Sequence, residues 1–188
     1  MNLSQKTARR SRSGFTLIEV IASATILVIG CLGLSAAITS SGRLSELTRE
    51  RMLAHEAARA QMEQLENADF GGSFALYNSS KADDPSGPGT APGPNFAVVG
   101  LNTQRDDADG FVGEVVFPTL GGLGQQLSEN LFDSHIGMPR DLNGDGVVGA
   151  GAMTGAYVVL PVRVIVRWRG PAGNSSLEID NVLMDRTR

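Results

Sequence analysis

Glu19 is the residue whose chemistry most needs explaining. It is the one charged side chain in the apolar run 14–38, GFTLIEVIASATILVIGCLGLSAAI. At about 1.5 Å per helical residue, roughly 24 residues span about 36 Å. That exceeds the ~30 Å hydrocarbon core of a bilayer, so one tilted transmembrane helix fits. A carboxylate inside such a helix costs about 2.5–3.5 kcal/mol on insertion scales. Either a cation from another molecule meets it, or it is an incidental glutamate that snorkels toward the interface. Gly30 and Gly33 lie further along the run. Small residues there let helices approach closely or weaken the helix locally, although glycine is common in membrane helices in any case.

A second constellation is Asp141, Asn143, Asp145 and the carbonyl of Val147, with Gly146 at the sharp turn. Oxygen donors at alternate positions followed by glycine form the first half of a calcium loop. The twelfth position is Ala152, where such a loop needs a carboxylate. The set is therefore complete only if another segment supplies one, with Asp106, Asp107 and Asp109 as candidates; otherwise the stretch is an ordinary Asp/Asn/Gly turn. No cofactor is required by the sequence, and calcium is the one ligand it suggests.

Catalytic patterns are missing. There is no HExxH, no GxSxG and no phosphate loop. His55 falls on a charged helix and His135 in a loop, and Ser134 and His135 beside Asp133 are sequence neighbours rather than a triad. Arg163, Arg167 and Arg169 with Trp168 could touch DNA, but a solvated strand face is the simpler reading. The net charge of −4 argues the same way. Lys6, Arg9, Arg10 and Arg12 all precede Gly14, so the remainder is four units more acidic than the whole. No nucleic-acid partner is expected.

The elements that carry these residues follow from the pattern. The basic leader should stay cytoplasmic, which puts residues after about 40 outside the cytoplasm. Cys31, the single cysteine, lies in the apolar run and forms no intrachain disulfide. Residues 43–69 contain no proline, and Leu44, Leu47, Ala54, Ala58, Leu65 and Ala68 recur at helical spacing, interrupted by Arg51. An amphipathic helix therefore continues the apolar one, about 54 residues in all. Residues 70–72 should end it, and 77–95, rich in Ser, Asp, Pro and Gly, read as a loop. Strands are expected at 96–101 and 111–117, with one or two helical turns around Leu123, Leu127 and Leu131 between 121 and 135. The clearest strand is 157–169, where Val162, Val164, Val166 and Trp168 alternate with Arg163, Ile165, Arg167 and Arg169. After a turn, 175–184 returns with Glu178 and Asp180 facing the arginines. Pro161 puts the start of the first strand at an edge or bulge.

The opening stretch Gly14-Phe15-Thr16-Leu17-Ile18-Glu19, after a basic leader and before an apolar helix, resembles the processing site of type IV prepilins and pseudopilins. The run 26–34 (ILVIGCLGL) is similar to that of PilV-type minor pilins. Beyond the helix the likeness is one of layout: long helix, loop, late β-hairpin. The resemblance implies that a prepilin peptidase cuts after Gly14, and that Phe15 becomes an N-methylated terminus. Glu19 would then be the fifth residue of the mature chain, paired with a neighbouring subunit's terminal amine. Gly30 and Gly33 would lie in the assembly helix.

The expected fold class is α+β, pilin-like, with the long N-terminal helix packed on a small antiparallel sheet. Its parts are a leader (1–14), a transmembrane assembly helix (15–40), an amphipathic continuation (41–69) and an extracytoplasmic β domain (70–188). The implied function is that of a minor pilin, a non-enzymatic filament subunit anchored in a bacterial inner membrane before assembly. Its partners would be the peptidase, other pilins or pseudopilins, an inner-membrane assembly platform with its ATPase, and lipid. Two alternatives stay open: a minor pseudopilin of type II secretion, and an unprocessed, membrane-tethered, calcium-dependent binding module.

Overall fold

The computed structural model describes residues 14–121, 126–153 and 156–185. The leader before Gly14 and the expected helix residue Leu123 lie outside them. The chain divides into two compact units, Met1–Leu44 and Ser45–Arg188.

In the first unit the apolar sequence forms the opening of helix α1 (Leu17–Asn67). Its described residues are exposed, and α1 is long and apolar enough to cross a membrane. Hydroxyls along it are used internally: Thr25 donates to the Ile21 carbonyl at 2.8 Å and Thr39 to that of Ser35 at 2.9 Å. A polar side chain in an apolar solvent is tolerated on those terms.

In the second unit α1 buries one stripe, Glu50, Ala54, Ala58, Gln61, Met62 and Leu65. The expected series is shifted at its start: Leu44 is exposed, Arg51 faces solvent, and Glu50 takes the seam. Ala54 and Ala58 let the helix approach the sheet closely. α1 stops at Asn67, but Phe70 and the two glycines after it do not form a loop. They open a second helix, α2 (Phe70–Tyr77), because Asp69 accepts the Gly72 N–H at 3.1 Å and caps it.

Strands β1 (Asn95–Phe96), β2 (Gly113–Val116), β5 (Val159–Gly170) and β6 (Gly173–Met184) form one sheet in that order, antiparallel throughout. Val162, Val164, Val166 and Trp168 form the inner face, each at most 2% exposed, worth about 1.5–3 kcal/mol per buried aliphatic side chain. β1 is shorter than the sequence suggests because the chain turns at Gly100. It pairs Phe96 with Gly113, where a Cβ would collide with the Phe96 ring. β2 pairs only Arg163–Val166 of β5, so Pro161 sits beyond its end and costs no ladder bond there. The helical turns expected between 121 and 135 are replaced, among the described residues, by a two-stranded pairing of β3 (Thr119–Leu120) with β4 (Gln126–Leu127). Glycines 121, 122 and 124 work against a helix, and Leu127 reaches the core from the strand.

Glu50 accepts the Trp168 indole N–H at 3.1 Å, and a Cβ on Gly170 would run into the same carboxylate. Helix and hairpin are thus joined by one buried polar contact over a glycine. Glu50→Ala leaves the buried indole N–H without a partner and should cost about 1–3 kcal/mol, read as a lower Tm of the full chain in detergent. Gly170→Ala should destabilise by a similar amount through overpacking, while Glu50→Gln, which keeps an acceptor, should cost less.

Candidate functional site

The N-terminal candidate is built around a helix start. Residues 14–16 are not helical, and Gly14 and Phe15 are exposed, Phe15 by 78%. A Cβ on Gly14 would meet nothing within 4 Å. The Glu19 N–H donates to the Thr16 carbonyl at 3.1 Å and to its hydroxyl at 3.4 Å. Thr16 is thus in the N-cap position and Glu19 three residues on, the Thr-x-x-Glu spacing of a capping box. That spacing is present in the sequence, but the Thr16 cap was not foreseen from it. It gives Glu19 a local role as well, since an anion in the first turn is favoured by the helix dipole. A Cβ added to Gly30 or Gly33 would likewise meet nothing within 4 Å, so α1 carries two open notches.

The second candidate is a loop tied to itself. The Asp141 carboxylate accepts the N–H groups of Gly144 at 2.6 Å and Gly146 at 2.7 Å. Asn143 accepts the Asp145 N–H at 2.9 Å, and Asp145 accepts that of Val147 at 2.8 Å. These backbone bonds, that from Gly146 foremost, hold the Asp141 carboxyl below the usual carboxylate range. The carboxylate that reaches this loop is Glu129, 3% exposed, not Asp106, Asp107 or Asp109. It accepts from Leu142 and Asn143 with one oxygen (3.0 and 3.3 Å) and from Gly149 with the other (2.8 Å). Ala152, at the twelfth position, bridges to Ser128 instead. Among the described residues no three acidic, His or Cys side chains group to hold a metal ion. Both Glu129 oxygens are given to backbone amides of the loop.

The remaining candidates are committed elsewhere. Asp133 accepts the backbone N–H of His135 at 3.0 Å and is bonded to Arg163, so Ser134 and His135 gain no acid partner from it. Arg163 meets Asp180 at 2.6 Å, Asp133 at 3.1 Å and Glu178 at 3.7 Å, and Arg167 meets Glu114 at 2.7 Å. Arg163 and Arg167 are thereby paired with carboxylates rather than held out to a polyanion, while Arg169 is exposed. Partial burial works to raise the Asp133 carboxyl, but the His135 N–H and the Arg163 guanidinium outweigh it, and the group is lowered.

Comparison with known families gives one match: residues 9–35 fit the prokaryotic N-terminal methylation motif. No curated protein and no solved structure matches the chain.

Two outcomes follow for the domain. Glu129→Ala removes three amide contacts at once and should lower the Tm of the full chain by several degrees, with the same loss in excess calcium and in chelator. A calcium-dependent rise in the wild type would show that the loop recruits a ligand beyond these residues. For Asp133, a lowered folded pKa means its stabilisation is complete above the ordinary aspartate value of 3.8 and is lost as pH falls through the folded value. Arg163→Ala should cost about 1–2 kcal/mol at neutral pH. The gap between the wild-type and variant melting curves should narrow below pH ~3.8.

Proposed function

We propose that the chain, which carries the N-terminal methylation motif and has a pilin-like α+β fold, is a minor pilin of the PilV type. In this reading it is a structural, non-enzymatic subunit, made as a prepilin, processed by a prepilin peptidase and assembled with other pilins, and the N-terminal methylation motif supports it. The observation that carries the reading is the form of the cleavage region: exposed, non-helical residues 14–16 directly before a capped apolar helix. A peptidase needs an extended segment to reach a peptide carbonyl, and a helix would withhold it.

Hydrolysis of the Gly14–Phe15 bond adds water across it, leaving a carboxylate on Gly14 and an amine on Phe15. That amine has an unperturbed pKa near 8 and is mostly cationic at neutral pH. In this reading it meets the Glu19 carboxylate of a neighbouring subunit as the apolar helices bundle, where breaking such a pair costs roughly 3–5 kcal/mol. Gly30 and Gly33 then serve as close-approach points between helices. Before assembly the precursor is anchored in the inner membrane, with its β domain outside the cytoplasm.

The test is co-expression with a prepilin peptidase, read by intact mass. Wild type should lose the 14-residue leader and gain a methyl group, and Gly14→Leu should keep its full mass. An unprocessed wild type would overturn the reading and leave a tethered domain. Glu19→Gln should still be cut but should enter filaments at least tenfold less. Loss of twitching rather than of secretion on deletion would support a pilus over a type II secretion pseudopilus.

A further inference from the structure

β6 is the last strand of the sheet and pairs only with β5. Its register fixes which backbone groups are spare. The pair Gly170–Gly173 closes the two-residue hairpin turn, and the N–H groups of Arg167 and Arg169 bond away from β6, to Val112 and Asn102. Residues 173, 175, 177, 179, 181 and 183 therefore turn their backbone groups toward β5, while 174, 176, 178, 180, 182 and 184 turn theirs outward. The Val182 N–H is taken by the Asn181 side chain at 2.8 Å. Among the described residues, no hydrogen bond is made by the N–H groups of Asn174, Ser176, Glu178, Asp180 or Met184.

β6 contains no proline and no lysine, and no described loop pairs with its outer side. Long open edges of this kind are templates for another strand. The inner face beside the edge is unfinished too: Leu177 and Ile179 are only partly buried. An open groove of about 910 Å³ runs between the end of α1 and the C-terminal part of β6, with Leu65, Tyr157 and Leu183 in its wall.

Charge selects the occupant. Among the described residues, Glu66 and Asp69 line the groove, and Glu178 and Asp180 project from the other face, where Arg163 meets them. A second copy paired antiparallel about Ile179 would set Glu178 opposite Asp180, like charge against like, which is destabilising. We infer that the free edge of β6 receives an extended, basic segment of a partner protein as a fifth strand of the sheet. Lysine or arginine at alternate positions meets the acids, and the intervening apolar side chains drop into the groove. The inference stands independently of N-terminal processing.

The test uses the full chain in neutral detergent and a labelled ten-residue peptide of alternating lysine and valine, followed by fluorescence anisotropy. Saturable binding is expected, at least tenfold weaker when lysine is replaced by glutamate. It should be lost when alternate peptide amides on the pairing edge are N-methylated, which blocks strand addition without altering the protein. Ser176→Pro, at an outward N–H, should weaken binding at least fivefold while leaving the melting temperature close to wild type. Absence of saturable binding, equal binding of the methylated peptide, or equal binding of the glutamate peptide would each overturn the inference.

Discussion

An acid in the first turn of an apolar helix is the constraint on which the rest of this molecule turns. Three local features reduce its cost before any partner arrives. Glu19 lies where the helix dipole favours an anion, its backbone N–H is bonded to Thr16, and it sits near one end of the span rather than at the centre. What these features leave is a net charge without a counterion. None of the described residues offers a cation to Glu19; a new terminus at Phe15 would bring one within reach. The N-terminal methylation motif, residues 9–35, covers this same acid and its helix start.

The same helix changes solvent along its length, and its sequence changes with it. Up to Ile38 the large side chains other than Glu19 are apolar and exposed, the composition lipid demands. From Ser45 onward one stripe of α1 alone is buried, and Ala54 and Ala58, both fully buried, keep it narrow where it meets the hairpin. Close approach brings the helix within reach of the hairpin, where Glu50 bonds to Trp168 above Gly170. A buried carboxylate at that point is tolerable because the indole N–H gives it a directed partner.

What could be read from sequence divides along physical lines. Period-two alternation in β5 and the apolar length of α1 are repeated signals, and each repeat reinforces the last, so both elements were legible. Short pieces fail because one tertiary contact decides them. α2 exists because Asp69 caps it where the sequence offers two glycines. β4 exists because Leu127 finds the core from a two-residue strand. At the N-terminus Gly14, Phe15 and Glu19 were visible by type and spacing, whereas Thr16 as their cap was overlooked. Glu129 was out of reach, since nothing local links residue 129 to a loop 13 to 20 positions later.

The acidity of the domain has its own explanation in these contacts. With no disulfide available, loops rich in glycine and proline need another tether, and carboxylates supply it by accepting backbone N–H groups. Asp69 holds Gly72, Asp84 holds Ala91, Asp109 holds Phe111, Asp133 holds His135, and Glu129 gathers three amides. A carboxylate suits the task because it offers two acceptor oxygens and no donor that would compete for the same amides. Hydrogen bonds to a charged acceptor are worth more than neutral ones, about 1.5–3 kcal/mol. These acids are thus structural ligands for the protein's own backbone. Glu178 and Asp180 on β6 differ in that, among the described residues, the two share one cation, Arg163, beside an open strand edge.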